Sequence, residues 1–470
     1  MRTRGGLAAI CLALVVGTTA ACTSSEDPEP TPEPTGEPVR LSFGTTGSDA
    51  EAGAWDRVAA DFDGGDDVTV DTVRLPEEVG ALEAQADAGN LPDVFLADRS
   101  DLAWLVENEA VQPVDELLDE RGVDFGDRYS RDALQAFSSD NALQCMPVGI
   151  SPMVVYYNTD LIDFDRMRAR GLDAPASTNG WTLGSFAAAA EFATRPGRGT
   201  RGLHIDPTLR GFAPLVYSAG GQVFDDEVEP SSLSFSSDET RSALETFLPL
   251  LRNRPLNLTA DQLERRSALE WFERGRVGMI AGTRELVPEL RRVDGLRFDV
   301  MPMPFLGDDA TVGDVTGLCL SAETKDPAVA ADFLVHALSA ESIGRVTRVG
   351  ELVPADLEVS VSDDFVQPAR QPRNPQVFTE SIRDIRLAPL LDTDGALSDA
   401  AAPFLAEMVD EPVLAPEDLE VLGAEIDLAS REVLSPDDID LDGTPDDEDD
   451  DVDPGLLPSE EPDEDDPGLG

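Results

Sequence analysis

Few residues in this chain could exchange protons, attack a carbon or hold a metal. There are two histidines and four cysteines. His336 lies within the apolar helical face Phe333-Leu334-Leu338, where an imidazole is usually a packing or boundary residue. His204 follows a short strand in GLHIDP and could serve a site, but alone it has no metal-ligand spacing. Neither a G-x-S-x-G turn for a nucleophilic serine nor a G-x-x-x-x-G-K-[ST] phosphate loop is present. Cys145 and Cys319 have no local His partner of the thiol-enzyme kind. Carboxylates are so numerous that a glycosidase-like acid pair does not stand out by residue type. These residues support binding rather than turnover, and no organic cofactor is implied.

One constellation fits a metal. Asp438, Asp440, Asp442, Gly443 and Asp446 spell D-x-D-x-D-G-x-x-D, alternating carboxylates with a glycine to turn the chain, as a calcium loop needs. The run resembles thrombospondin-type calcium repeats and the start of an EF-hand loop. It lacks the flanking cysteines of the first and the bidentate Glu of the second. It sits in a segment from Asp437 onward that is about half acidic with no basic residue, so a solvated polyelectrolyte tail over 436–470 is the alternative. The whole chain carries a formal net charge of −59 and a single lysine, Lys325. Nucleic acid is excluded as a partner, because phosphate binding needs clustered Lys and Arg.

The N-terminus addresses the chain to the outside. Arg2 and Arg4 precede an apolar stretch, Leu7 to Val16, and small residues follow up to Cys22. This is a secretory signal over 1–21, too short to be a permanent membrane span. Thr19-Ala20-Ala21-Cys22 resembles a bacterial lipobox, with Thr where Leu is commonest, and implies acylation of Cys22; ordinary cleavage near Ala21 is the alternative. Residues 22–39 are Pro-, Glu- and Thr-rich, a tether that could hold a domain roughly 50 Å off the membrane. With Cys11 lost and Cys22 acylated, Cys145 and Cys319 remain in an oxidising compartment, either as a disulfide or as two buried thiols.

Between the ends the chain alternates strands and helices. VRLSFGT reads as a strand, and Ser48 with Glu51 three residues on starts a helix as a capping box. Trp55, Val58, Ala59 and Phe62 share one face of that helix. VTVDTV is the next strand; Val79, Leu82 and Ala86 mark a helix stopped by Gly89. LPDVFLA is a buried strand, and Ser100 caps the helix bearing Leu102, Leu105 and Val106. Thr182 opens a helix through Ala193, and Asp326-Pro327 opens AVAADFLVHAL. Such alternation predicts an α/β fold with doubly wound sheets, whose ligands sit beyond the carboxyl ends of the strands.

Seven segments, in order, resemble the extracellular solute-binding proteins of ABC importers, in the branch that most often binds sugars. They are GNLPDVFLADRSDLAWL, MPVGISPMVVYYNTDLI, NGWTLGSFAAAAEFA, LVYSAGGQVFDD, FERGRVGMIAGTRE, FDVMPMPFLG and DPAVAADFLVHALSAE, which run from Gly89 to Glu341, within a resemblance that covers about residues 40 to 430. The resemblance implies a two-lobed periplasmic-binding-protein-like fold (type II) with a cleft between the lobes. Lobe one would hold 40–147 and 305–340, and lobe two 150–303 and 343–435. Cys145 and Cys319 would lie on lobe-one strands close to the hinge, which favours their pairing. It further implies a monomer, anchored on the extracellular face of the membrane, that captures a small polar solute and passes it to an ABC permease. A surface sensor or adhesion lipoprotein of the same fold, with a calcium-binding tail, is the alternative.

Cleft positions follow from strand ends and from the resemblance together. Thr45 and Thr46 follow the first strand, with a plain turn as the alternative. Asp98 and Arg99 follow VFLA and would suit a polyol, unless they form a surface ion pair. Ser151 follows the crossover strand, Arg210 and Tyr217 flank the helix before Gly220-Gly221, and Arg284 follows the strand GMIAG. Phe378 lies in a late segment that often supplies a stacking ring. The chain departs from sugar-binding relatives here. It has only four Tyr and four Trp; Arg284 stands where Trp is frequent, and Leu96 where an aromatic is frequent. The solute implied is therefore a carbohydrate, a modified or acidic sugar, or another highly polar compound. Trp55, Trp104 and Trp181 are expected to pack rather than stack on a ligand.

Overall fold

The structure, a computed structural model, describes residues 38–76, 80–126, 128–139 and 141–436. The acylation position Cys22, the carboxylates Asp438, Asp440, Asp442 and Asp446, and Val79 lie outside the described residues. The strands in chain order are β1 (Val39–Thr45), β2 (Val68–Arg74), β3 (Val94–Asp98), a small hairpin of β4 (Ser138–Ser139) and β5 (Ala142–Leu143), β6 (Cys145–Pro152), β7 (Val154–Asn158), β8 (Arg201–His204), β9 (Val277–Gly282), β10 (Phe298–Met301) and β11 (Gly313–Leu320).

Two mixed sheets form, each flanked by helices. The first has the order β2-β1-β3-β11-β6, with β1 parallel to β2 and β3, and β11 antiparallel to β3 and β6. The second has the order β10-β7-β9-β8, in which β8 and β9 are parallel and the other pairs antiparallel. β6 and β7 are buried along their length, β6 although it ends its sheet's order, which is why both read as unbroken apolar runs.

Local sequence explains the element ends. The helix Asp49–Ala60 begins where the Ser48 hydroxyl accepts the Glu51 N–H, and it buries Trp55, Val58 and Ala59. Trp55 and Phe333 meet Phe43 of β1 edge-on, at 5.8 and 5.1 Å between ring centres. Burying a ring such as Phe43 contributes about 1.5–3 kcal/mol. The predicted capping box is only half formed. The Glu51 carboxyl does not return to the Ser48 backbone but turns into the crevice described below. The predicted cap at Ser100 is corrected too. The turn after β3 is closed by Asp98, whose N–H donates to the Asp101 carboxylate at 3.0 Å. Pro327 starts the helix Pro327–Ala337 as expected, and His336 of that helix bonds to the Val58 carbonyl at 2.9 Å, a packing role.

The chain passes between the sheets three times, and the passages lie side by side. At the first, the Met153 N–H donates to the Val312 carbonyl (2.7 Å) on the second. The Thr311 hydroxyl returns a bond to the Met153 carbonyl, also 2.7 Å. On the third, the Arg386 N–H donates to Thr311, while the Thr311 N–H donates to Asp384, both at 2.8 Å. This three-stranded crossing is the natural hinge. The boundaries differ from expectation in one segment. Residues 343–361, placed with lobe two, pack instead on the first lobe, whereas Gln371 and Asn374 bond to Phe298 and Asp299 of β10 and Phe378 meets Tyr156 of β7, in the second sheet. The late chain continues on the second lobe through Leu391, Leu397 and the helices Asp394–Asp410 and Pro416–Leu434, so the departure is confined to the stretch that starts at 343. The reason is the amphipathic helix Ala340–Thr347, whose buried face is set against the helix Asp49–Ala60 and whose Arg345 pairs with Asp61.

Cys145 and Cys319 form a disulfide. They face each other in the antiparallel register of β6 and β11, with Cα atoms 4.4 Å apart. The bond does not lie near the hinge, as the resemblance implied. It closes the far end of the strand pair, roughly 20 Å from Pro152 at the usual rise per strand residue.

Candidate functional site

Strand ends converge on one crevice. After β1, Gly47 adopts φ +83°, a left-handed turn that leads the chain into the Ser48 cap and sets Thr46, Ser48 and Glu51 along one wall. After β3, Leu96, Asp98 and Asp101 extend that wall. The end of β6 adds Gly149 and Ser151, and the loop Glu351–Val353 lies beside them. A Cβ at Gly149 would sit 2.4 Å from Leu352 Cδ1, so the leucine side chain closes tightly over this strand end. The opposite wall comes from Glu285, Glu289 and Arg292 after β9, and from 391–398 at the start of a second-lobe helix. The enclosed volume is about 760 Å³. A second cavity of about 390 Å³ adjoins it across Glu285 and Asp314 and is lined by His204, Asp206 and Arg210.

The predicted site residues divide. Thr46, Asp98 and Ser151 line the larger cavity. Arg210 lines the smaller one and bridges Asp314 at 2.6 Å. Thr45 is buried beneath the wall at 2 % exposure, and Arg99 and Tyr217 line neither cavity. Arg284 and Phe378 are corrected outright: both are fully buried. The Arg284 guanidinium lies between the rings of Phe365 and Phe378, 4.0 and 5.3 Å from their centres, and donates to the Phe365 carbonyl at 2.9 Å. Phe378 thus stacks on an internal cation, not on a solute. Only the Arg284 backbone touches a cleft residue, its N–H donating to the Ser151 hydroxyl at 3.1 Å. Trp55 and Trp181 are packed in the cores as expected, Trp181 donating to the Pro302 carbonyl at 2.9 Å.

Residues that sequence reasoning missed are carboxyls: Glu51, Asp101, Glu285, Glu289, Glu351 and Asp392. Their electrostatics are coupled. Burial first, then the neighbouring Glu351, pushes the Glu51 carboxyl up to about 8. Burial, with Asp314 and Asp98 nearby, raises Glu285 to about 7. Burial and Asp98 raise Asp101 to about 6. Ser48 donates its hydroxyl to Glu351 at 2.8 Å, and Thr316 donates to Asp98 at 2.9 Å. His204 is paired with Asp206 at 2.9 Å, and no nucleophile stands beside that pair in its cavity.

Two α/β lobes joined by three adjacent crossings, with a polar crevice at their strand ends, define a protein that encloses a solute between lobes. The family model for bacterial extracellular solute-binding proteins matches residues 57–376, and the chain belongs to that family. Members bind solutes outside the cytoplasm and work with ABC permeases. No curated protein sequence matches the chain. Among solved structures, an ABC substrate-binding protein from Listeria monocytogenes in complex with cycloalternan is similar, with 18% identity and a TM-score of 0.68 over 82% of this chain and 97% of that one. The GacH receptor of Streptomyces glaucescens, solved unliganded and with acarbose, has 18% identity and a TM-score of 0.66 over 84% and 98%. The maltotriose-binding protein of Thermus thermophilus, bound with maltotriose, has 15% identity and a TM-score of 0.61 over 82% and 98%. At these identities the likeness establishes the fold.

Proposed function

We propose that the chain is the lipid-anchored, extracellular binding component of an ABC importer, holding a small polar solute between its lobes and delivering it to a membrane permease. The observation that carries this reading is the crevice itself: about 760 Å³, lined from both lobes by polar side chains, and set beside a hydrogen-bonded crossing about which the lobes can close. Membership of a solute-binding family supports binding rather than turnover as its chemistry. Acylation of Cys22 and the Pro- and Glu-rich segment after it would keep the binding lobes within reach of the permease.

Thermal unfolding of the full mature chain against neutral, acidic and cationic polar solutes tests the reading. A solute at about a hundred times its dissociation constant adds about 2.7 kcal/mol of stability. The same solute should compact the protein in solution scattering as the lobes close. A panel without any stabilising solute, or saturation with no change in radius, would count against capture by closure.

A further inference from the structure

Carboxyl groups dominate the crevice from both sides. The first-lobe wall presents Glu51, Asp98, Asp101 and Glu351, and the facing wall Glu285, Glu289 and Asp392. Asp314 is also present and is engaged by Arg210, while Asp98 accepts from the Thr316 hydroxyl and Glu351 from that of Ser48. Among the described residues Arg292 is the single basic side chain that lines the crevice, and Arg210 reaches Asp314 from the adjoining cavity. The bias exceeds that of the chain, which has 94 acidic and 35 basic residues with its acidic tail included. Here, among the described residues, eight carboxyls stand against two guanidinium groups, those of Arg292 and Arg210. None of the lining residues is aromatic, so the flat apolar faces of a pyranose have no ring to stack on.

The arrangement narrows the ligand. An anionic solute would add charge to a wall where burial and mutual repulsion already hold carboxyls well above their usual range. A bare metal ion needs convergent ligands, and among the described residues no three carboxyl, imidazole or thiol groups converge in that way. The charge is instead spread over a space large enough for an oligomeric small molecule, with contributions from both lobes. We propose that the solute is an organic cation bearing two or more ammonium groups on a polar skeleton, bridged between the carboxyls of the two walls. This rests on the solute-binding role proposed for the same crevice. Closure would bring Glu285 and Glu289 toward Asp98 and Asp101, which only an intervening cation makes favourable. Solute charge would then itself drive the closed state.

Titration calorimetry on the full mature chain, near neutral pH and at low salt, tests this with spermine, kanamycin, calcium chloride, maltotriose and trigalacturonate as probes. Spermine or kanamycin should bind, several-fold more weakly when salt is raised from about 20 to about 200 mM. Glu285→Gln and Glu289→Gln should each weaken that binding on the order of tenfold, the loss expected for one charge-assisted hydrogen bond. The unliganded melting temperature of Glu285→Gln should not fall, since it removes a carboxyl that burial and Asp314 already disfavour in its charged form. Binding of spermine alone identifies an alkyl polyamine as the source of the ammonium groups; binding of kanamycin alone identifies an amino sugar. Binding of maltotriose or trigalacturonate without either amine would overturn the cationic assignment and leave the solute-binding role standing. Calcium binding without the amines would overturn it as well. Amine binding unchanged in both Gln variants would place the amines on another acidic surface and overturn the assignment to this crevice. Silence from every probe would count against both readings.

Discussion

Arg284→Met should leave solute affinity within about twofold and change the unfolding free energy by less than about 2 kcal/mol in either direction. The guanidinium is fully buried, and no carboxylate pairs with it among the described residues. Burial draws its pKa from 12.5 to about 9, which corresponds to about 5 kcal/mol against the charged form. Contact with the Phe365 and Phe378 rings returns about 2 kcal/mol each in a desolvated setting. The hydrogen bond to the Phe365 carbonyl returns about 1.5–3 kcal/mol more. Nε and Nη1 have no hydrogen-bond partner. The opposing contributions are therefore nearly equal. Methionine fills much of the same space, carries no charge and keeps favourable sulfur–ring contacts of about 0.3–1.5 kcal/mol. Its main deficit is the carbonyl left without a donor, about 1–3 kcal/mol. Arg284→Ala is the contrast, because it adds a cavity and should be several kcal/mol less stable than the Met variant. Urea unfolding followed by circular dichroism, with titration of a bound solute, reads both quantities. A Met variant destabilised by more than about 4 kcal/mol would refute the balance drawn here. A tenfold loss of affinity with stability intact would return the side chain to the site.

Three further outcomes are expected. The disulfide closes a loop of 174 residues, so reduction should lower stability by up to about 5 kcal/mol by loop-closure entropy, read as a lower melting temperature in reductant. Unliganded stability should fall as pH rises from about 4.5 toward 8. Glu51 and Glu285 have folded values raised to about 8 and about 7, so the folded state holds protons that the unfolded chain has released. Melting temperatures across that window should be flatter in Glu51→Gln; an equally steep slope in the variant would remove Glu51 as a cause. Arg210→Ala breaks a bridge to Asp314 whose side chains are 48% and 32% exposed. It should cost less than about 1 kcal/mol in denaturant unfolding.

Much of the fold was legible because it is written in short-range patterns. The apolar run LPDVFLA, the Ser48 and Thr182 caps and the Pro327 helix start are local signals, and each falls where its element begins or runs. The disulfide partners were recognisable from the compartment and an even count, but not their position relative to the hinge. That position depends on which end of β6 reaches the crossing, a matter of register between distant strands. The packing of 343–361 on the first lobe was illegible for a similar reason. Its amphipathic helix fits either lobe, and only the tertiary partner Asp49–Ala60 decides. The site failed in a more instructive way. Loop residues after a strand have no fixed alternation, so the segment after β9 offers no sequence rule for which side chain enters the crevice. Arg284 drew attention as an unusual charge, yet it turns inward against two phenylalanines, and its neighbour Glu285 faces the solute space. In a chain with 94 acidic residues a single glutamate carries no signal by type. The carboxyls become informative only as a set, once the fold brings Glu51, Asp101, Glu285 and Glu351 from distant segments onto two facing walls.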